Sequence, residues 1–181
     1  MAGVAALLRA VNVGGHGKVP MDRLRAVCEG LGHSDVVTYL ASGNVVFRPA
    51  VHDAAAILAG LEAALAATFG ARIDVILRTG GELRAVLDGS PFREEAAADP
   101  AKLLVLFLRD APAADAMDRL AARHKGPERF ALLGRELHIH FPDGMGRSKL
   151  STPVIEKTVG LGTGRNWNTV TALARMTAER D

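Results

Sequence analysis

A largely apolar stretch over residues 4–13, closed by Gly14-Gly15-His16-Gly17, predicts a buried first strand. Pro20 then opens a helical pattern in which Met21, Leu24, Cys28 and Leu31 share one face and Gly32 is the stop. Residues 36–41 and 45–48 are β-branched and aromatic runs on either side of Ser42-Gly43-Asn44, the signal of a hairpin. Ile57, Leu58, Leu61, Leu65 and Phe69 give the inward stripe of a helix over 53–69, ended by Gly70. A strand follows over 72–78, and Thr79-Gly80-Gly81-Glu82 reads as a capping box that starts a short helix. Strand, helix, strand, strand, helix, strand is the order of a ferredoxin-like, split-βαβ half.

The pattern then repeats. Residues 91–100, acidic, alanine-rich and punctuated by Pro91 and Pro100, read as a link. The continuous apolar run over 102–108 predicts a strand covered on both faces. A helix over 113–124 buries Ala116, Met117, Leu120 and Ala121. A hairpin over 128–133 and 135–141 turns at Gly134-Arg135. In its second strand Leu137, Ile139 and Phe141 alternate with Glu136, His138 and His140, which places the two histidines on the wet face. Thr152 and Pro153 start a short helix, Gly160 ends it, and a last helix begins near Asn166. The expected fold is α+β. Two ferredoxin-like (βαββ-type) halves, residues 1–90 and 101–181, pack together, and the second has a divergent helical C-terminus.

Composition narrows the class. With 49% hydrophobic and 23% charged residues in 181, the chain can bury a core. A net charge of +2 is too small for a dedicated nucleic-acid binder, although the pI near 9.0 leans basic. Cys28, the single cysteine, excludes an internal disulfide and sits on a core stripe, where it reads as a small buried hydrophobe. No stretch approaches the roughly 18–20 apolar residues of a membrane span, and the first residues do not read as a signal peptide, so the expected location is the cytoplasm.

Candidate chemistry concentrates near the end. Arg147, Ser148 and Lys149 put a planar fork, a hydroxyl and a point charge within three residues, a set suited to phosphate or carboxylate. Gly162-Thr163-Gly164-Arg165-Asn166 reads as a second glycine loop opening the last helix, with Thr163, Arg165 and Asn166 near amide hydrogens that attract anions. Neither loop is a P-loop, and Gly17-Lys18 lacks the hydroxyl that would follow in one. Arg9, a guanidinium inside an apolar strand, needs a partner or a cleft; with Asn12 and Asn44 it could line the other wall. His138, His140 and Asp143 have spacing a metal could use, but the expectation is no metal and no cofactor.

Four segments resemble a known family: 8–15 (Leu-Arg-Ala-Val-Asn-Val-Gly-Gly), 42–45 (Ser-Gly-Asn-Val), 144–150 (Gly-Met-Gly-Arg-Ser-Lys-Leu) and 165–170 (Arg-Asn-Trp-Asn-Thr-Val). By these the chain is similar, over essentially its whole length, to the bacterial domain of unknown function 1697 family. The resemblance implies two ferredoxin-like halves and no activity. From the residues themselves, the C-terminal loops and the end of the first strand, the expectation is a basic groove between the halves that binds a phosphate- or carboxylate-bearing partner, a nucleotide-like small molecule or a nucleic acid. Nucleic acid is the weaker branch, since the chain is only 4% aromatic. A small enzyme acting on such a substrate and a purely structural or interaction module are the alternatives. The sequence leaves oligomeric state open.

Overall fold

The computed structural model describes residues 3–14 and 17–180; Gly15 and His16 of the glycine-rich loop lie outside them. The chain forms two compact units, residues 1–84 with 172–181, and residues 85–171. The architecture is mixed α+β, with one four-stranded antiparallel sheet in each unit and seven helices among the described residues.

The first unit contains β1 (Val4–Leu8), α1 (Met21–Gly30), β2 (Ser34–Tyr39), β3 (Asn44–Arg48), α2 (Ala54–Phe69) and β4 (Val75–Thr79). Its strand order is β2-β3-β1-β4. Leu24 and Cys28 of α1 and Ile57, Leu61 and Leu65 of α2 pack on Ala6, Leu8, Val45 and Phe47 of the sheet. Each large side chain buried there contributes roughly 1.5–3 kcal/mol. Burial pushes the Cys28 thiol up to about 12, with Glu29 adding to the shift, so this cysteine is packing rather than chemistry. The hairpin turns at Gly43, whose φ of 83° and 2.5 Å approach of any Cβ to Val11 Cγ2 admit only glycine. Thr79 and Glu82 form the expected reciprocal capping box at the start of α3 (Gly80–Gly89).

The second unit contains α4 (Arg93–Ala98), β5 (Leu103–Leu108), α5 (Ala116–Arg123), β6 (Arg129–Leu133), β7 (Glu136–His140), α6 (Thr152–Val159) and β8 (Gly162–Asn166), followed by the start of α7 (Trp167–Ala178). Its strand order is β6-β7-β5-β8, the first unit's order with each strand replaced by its counterpart. Leu106, Leu108, Leu137 and Ile139 meet Leu120 of α5 and Ile155 and Val159 of α6.

Three expectations need correction. β1 ends at Leu8, so Arg9 follows the strand instead of lying inside it, and Ala10 and Asn12 turn the chain at positive φ. Residues 91–100, expected as a link, are not among the three: they carry α4 and lead into a 3-10 turn at Pro100–Lys102, with Phe92 and Ala96 buried against Leu103. Residues 162–166 are a strand and not a loop. Their two glycines leave room at the sheet edge, since a Cβ on Gly162 would come within 2.8 Å of the Phe107 carbonyl. After its hairpin the second half therefore repeats the helix and edge strand of the first, with a longer connecting loop and a shorter helix. His138 is fully buried and His140 half-buried, because α4 and Trp167 cover the face that alternation alone marks as wet.

Candidate functional site

The second unit contains a cleft of about 800 Å³ between the C-terminal end of α5, the following 125–128 turn, the 143–150 loop and α6. Its chemistry is uneven. Five bases line it: Arg123, Lys125, Arg147, Lys149 and Lys157. Two carboxylates, Glu128 and Asp143, are the acids of the lining. None of the five bases has an ion-pair partner among the described residues. Leu120, Pro127, Leu150 and Val154 supply apolar wall.

Local sequence explains how the loop is held. The Ser148 hydroxyl donates to Glu128 Oε1 and accepts from the Leu150 amide at 3.0 Å. Glu128 Oε2 lies 2.7 Å from His124 Nε2, and His124 stands edge-on to Phe130 with centroids 5.1 Å apart. Gly126 permits the turn, because any Cβ there would collide with the Glu128 carboxylate and the His124 ring. Burial alone would raise the Glu128 carboxyl, but the Ser148 hydroxyl, a backbone amide and His124 outweigh it and hold it below the usual range. That makes Glu128 a weak base. With the carboxylate between serine and histidine, no imidazole reaches the hydroxyl, so these three side chains are a brace and not a nucleophilic triad.

The expected site residues divide into two groups. Arg147, Ser148 and Lys149 line the cleft, although the Ser148 hydroxyl is committed to Glu128. The other six do not line it. Asn12 ties its own loop together, donating to the Val19 and Ala41 carbonyls and accepting from the Val19 amide. Asn44 is buried and closes the hairpin by donating to the Tyr39 carbonyl and the Ser42 hydroxyl. Arg9 is half-buried at the end of β1. Arg165 is 6% exposed and donates to Thr163 Oγ1 and the Gly164 carbonyl, both at 2.8 Å; burial lowers its guanidinium to about 10. Asn166 accepts from the Thr169 amide at 2.9 Å, an N-cap. Trp167 packs with Phe92, Ala96 and Leu103. Sequence reasoning missed Arg123, Lys125 and Lys157. Their signal was faint: surface bases near the ends of two short helices look like ordinary solvated charge until the fold puts them on one cleft.

Among the described residues no group of three or more His, Cys, Asp or Glu side chains could hold an ion. Both His138 ring nitrogens lack hydrogen-bond partners, and burial lowers the imidazole to about 4.

Two sheets of one strand order, the second carrying a basic cleft, define a two-unit α+β protein. A family model described as "Protein of unknown function (DUF1697)" matches residues 1–138, and the chain belongs to that family. The match stops short of the 143–150 loop. No curated protein matches the chain. Among solved structures the chain is similar to the conserved bacterial protein SP0830 from Streptococcus pneumoniae, with 22% identity, a TM-score of 0.74, and coverage of 97% of this chain and 98% of that one. At that identity the likeness speaks for the fold alone. No helix among the described residues is long and apolar enough to cross a membrane.

Proposed function

We propose that each unit is a ferredoxin-like half and that the second binds a small phosphate- or carboxylate-bearing molecule in the α5–α6 cleft. The observation that carries this is five unpaired cations around one cavity in a chain whose net charge is only +2. Unpaired like charges repel one another, so a built concentration of them is stabilised by a bound anion. Arg147 supplies the forked donor, and Lys149, Lys125, Arg123 and Lys157 supply field. Ser148 and Glu128 act on the loop and not on the ligand. Binding, without catalysis, is favoured because the one carboxylate braced into the cleft is a weakened base.

The test is calorimetric titration with pyrophosphate, wild type against the double variant Arg147→Ala, Lys149→Ala. The expected result is saturable binding to wild type that weakens about 100-fold in the variant, with an unchanged melting temperature, since each charge-assisted hydrogen bond is worth roughly 1.5–3 kcal/mol. Pyrophosphate that fails to bind, or that binds both proteins alike, removes the proposal. Repeating the titration with single-stranded oligonucleotide across a salt series separates the weaker nucleic-acid branch by its steep salt dependence.

A further inference from the structure

The cleft is not only basic. In the helix register that matches Glu62 with Glu156, each accepting the first amide of its edge strand, Val154 stands where α2 has Gly60. Val154 is 50% exposed and shares the cleft lining with Leu150. Pro127 and Leu120 extend the same apolar wall. The corresponding helix–helix groove of the first unit, lined by Val27, Leu31 and Ala64 among others, is about 440 Å³ against about 800 Å³. α6 has 8 residues to the 16 of α2, and in the same register its first residue, Thr152, falls at Leu58, so it lacks the turn that holds Ile57 in α2. That absent turn leaves room, and the lining of the room combines apolar side chains with five cations. An inorganic anion would use the cations and waste the apolar wall. A nucleic-acid backbone would run along an open track of charge, which a cavity of this size beside exposed aliphatic side chains does not provide.

Resting on the reading of this cleft as an anion site, we propose that its ligand is a phosphate monoester with an apolar or aromatic body. The phosphate sits among Arg147, Lys149 and the neighbouring bases, and the body lies on Leu150 and Val154. A phosphate is favoured over a carboxylate because up to two negative charges answer five cations better than one does.

The experiment measures affinity for four probes: inorganic phosphate, 1-naphthyl phosphate, 1-naphthoate and 1-naphthol. Wild type is compared with Val154→Ser, a substitution at a half-exposed helix position that leaves the core untouched. The expected order places naphthyl phosphate at least about tenfold tighter than inorganic phosphate, as burying an aromatic face implies, and also tighter than naphthoate and naphthol. Val154→Ser should remove most of the tenfold preference and leave inorganic phosphate affinity unchanged. Equal affinity for phosphate and naphthyl phosphate, or a preference that survives Val154→Ser, overturns this inference while leaving the anion site standing. Naphthoate binding as tightly as naphthyl phosphate overturns the assignment to phosphate. Naphthol binding as tightly as naphthyl phosphate, or no binding of any anionic probe, overturns both this inference and the anion site beneath it.

Discussion

The two units share their framework to the level of single side chains and differ most in the groove between their two helices. In the first, Ala5 of β1 is opposite Arg78 of β4; in the second, Val105 of β5 is opposite Arg165 of β8. Each arginine is buried, at 1% and 6% exposure, and each donates to the carbonyl of the residue before it at 2.8 Å. Glu62 accepts from the Val75 amide at 3.0 Å, and Glu156 accepts from the Gly162 amide at 3.1 Å. Thr79 and Asn166, the last residues of the two edge strands, both cap the helix that follows. Leu8 and Leu108 end the two central strands, and the amides of Arg9 and Arg109 that follow them each donate at 2.9 Å to the carbonyl of the residue before the edge strand. What recurs in both units is framework. Arg165 and Asn166 thus make the same framework contacts as Arg78 and Thr79 of the first unit. The groove between the two helices recurs with about half the volume in the first unit and a different lining, and that difference points to function.

The largest test of the shared framework is removal of its buried arginines. Arg78→Ala and Arg165→Ala should each cost about 3 kcal/mol or more in urea unfolding, because each leaves a cavity and strands the oxygens it satisfied. The two losses should be similar. A neutral result at either position would break the equivalence of the halves.

A difference of comparable size separates their sheets. Val46 is opposite Ala5, and His138 is opposite Val105, so a histidine occupies the second unit where the first has valine. His138 has its folded pKa lowered to about 4 from an ordinary 6.5, by burial. Above pH 6.5 it is neutral folded or unfolded and costs nothing in protonation. Below that the unfolded chain takes up the proton first, and stability falls until about pH 4, by a total of about 3 kcal/mol. His138→Val should flatten this part of the pH–stability curve measured by denaturant titration. It should also raise stability at neutral pH, since two unpartnered ring nitrogens leave the core. An unchanged slope between pH 6.5 and 4 would mean that the imidazole is hydrated in solution.

Much of the framework was legible because periodicity reports burial. Leu24 and Cys28, Ile57, Leu61 and Leu65, and the run over 103–108 announced their faces, and Thr79 with Glu82 announced a cap. β8 was not legible. Gly-Thr-Gly-Arg-Asn has almost no strand propensity, and it pairs with β5 because glycine fits the tight edge and Arg165 buries its charge on local oxygens. His138 misled for a related reason: alternation separates the two faces of a strand, but the polar face was covered too. For the site, the Arg147-Ser148-Lys149 cluster was visible as local chemistry. Arg123, Lys125 and Lys157 were not, since only the pairing of α5 with α6 brings them to it.

The smallest change in stability should accompany the sharpest change in function. Matching Leu24 with Leu120 and Glu62 with Glu156 sets Val27 against Arg123 and Ala63 against Lys157. The double variant Arg123→Val, Lys157→Ala thus writes the first unit's residues into the second unit's cleft. Both side chains are exposed and unpaired among the described residues, so unfolding free energy should move by no more than about 0.5 kcal/mol. Pyrophosphate affinity should nevertheless fall roughly tenfold or more, through loss of two charges near the anion. The reverse exchange, Val27→Arg with Ala63→Lys, should confer no binding on the first unit, because its groove has about half the volume and no counterpart of the Arg147–Lys149 loop. If the reverse exchange did create a site, charge alone would be sufficient, and the absent turn of α6 would lose its role in making the cleft.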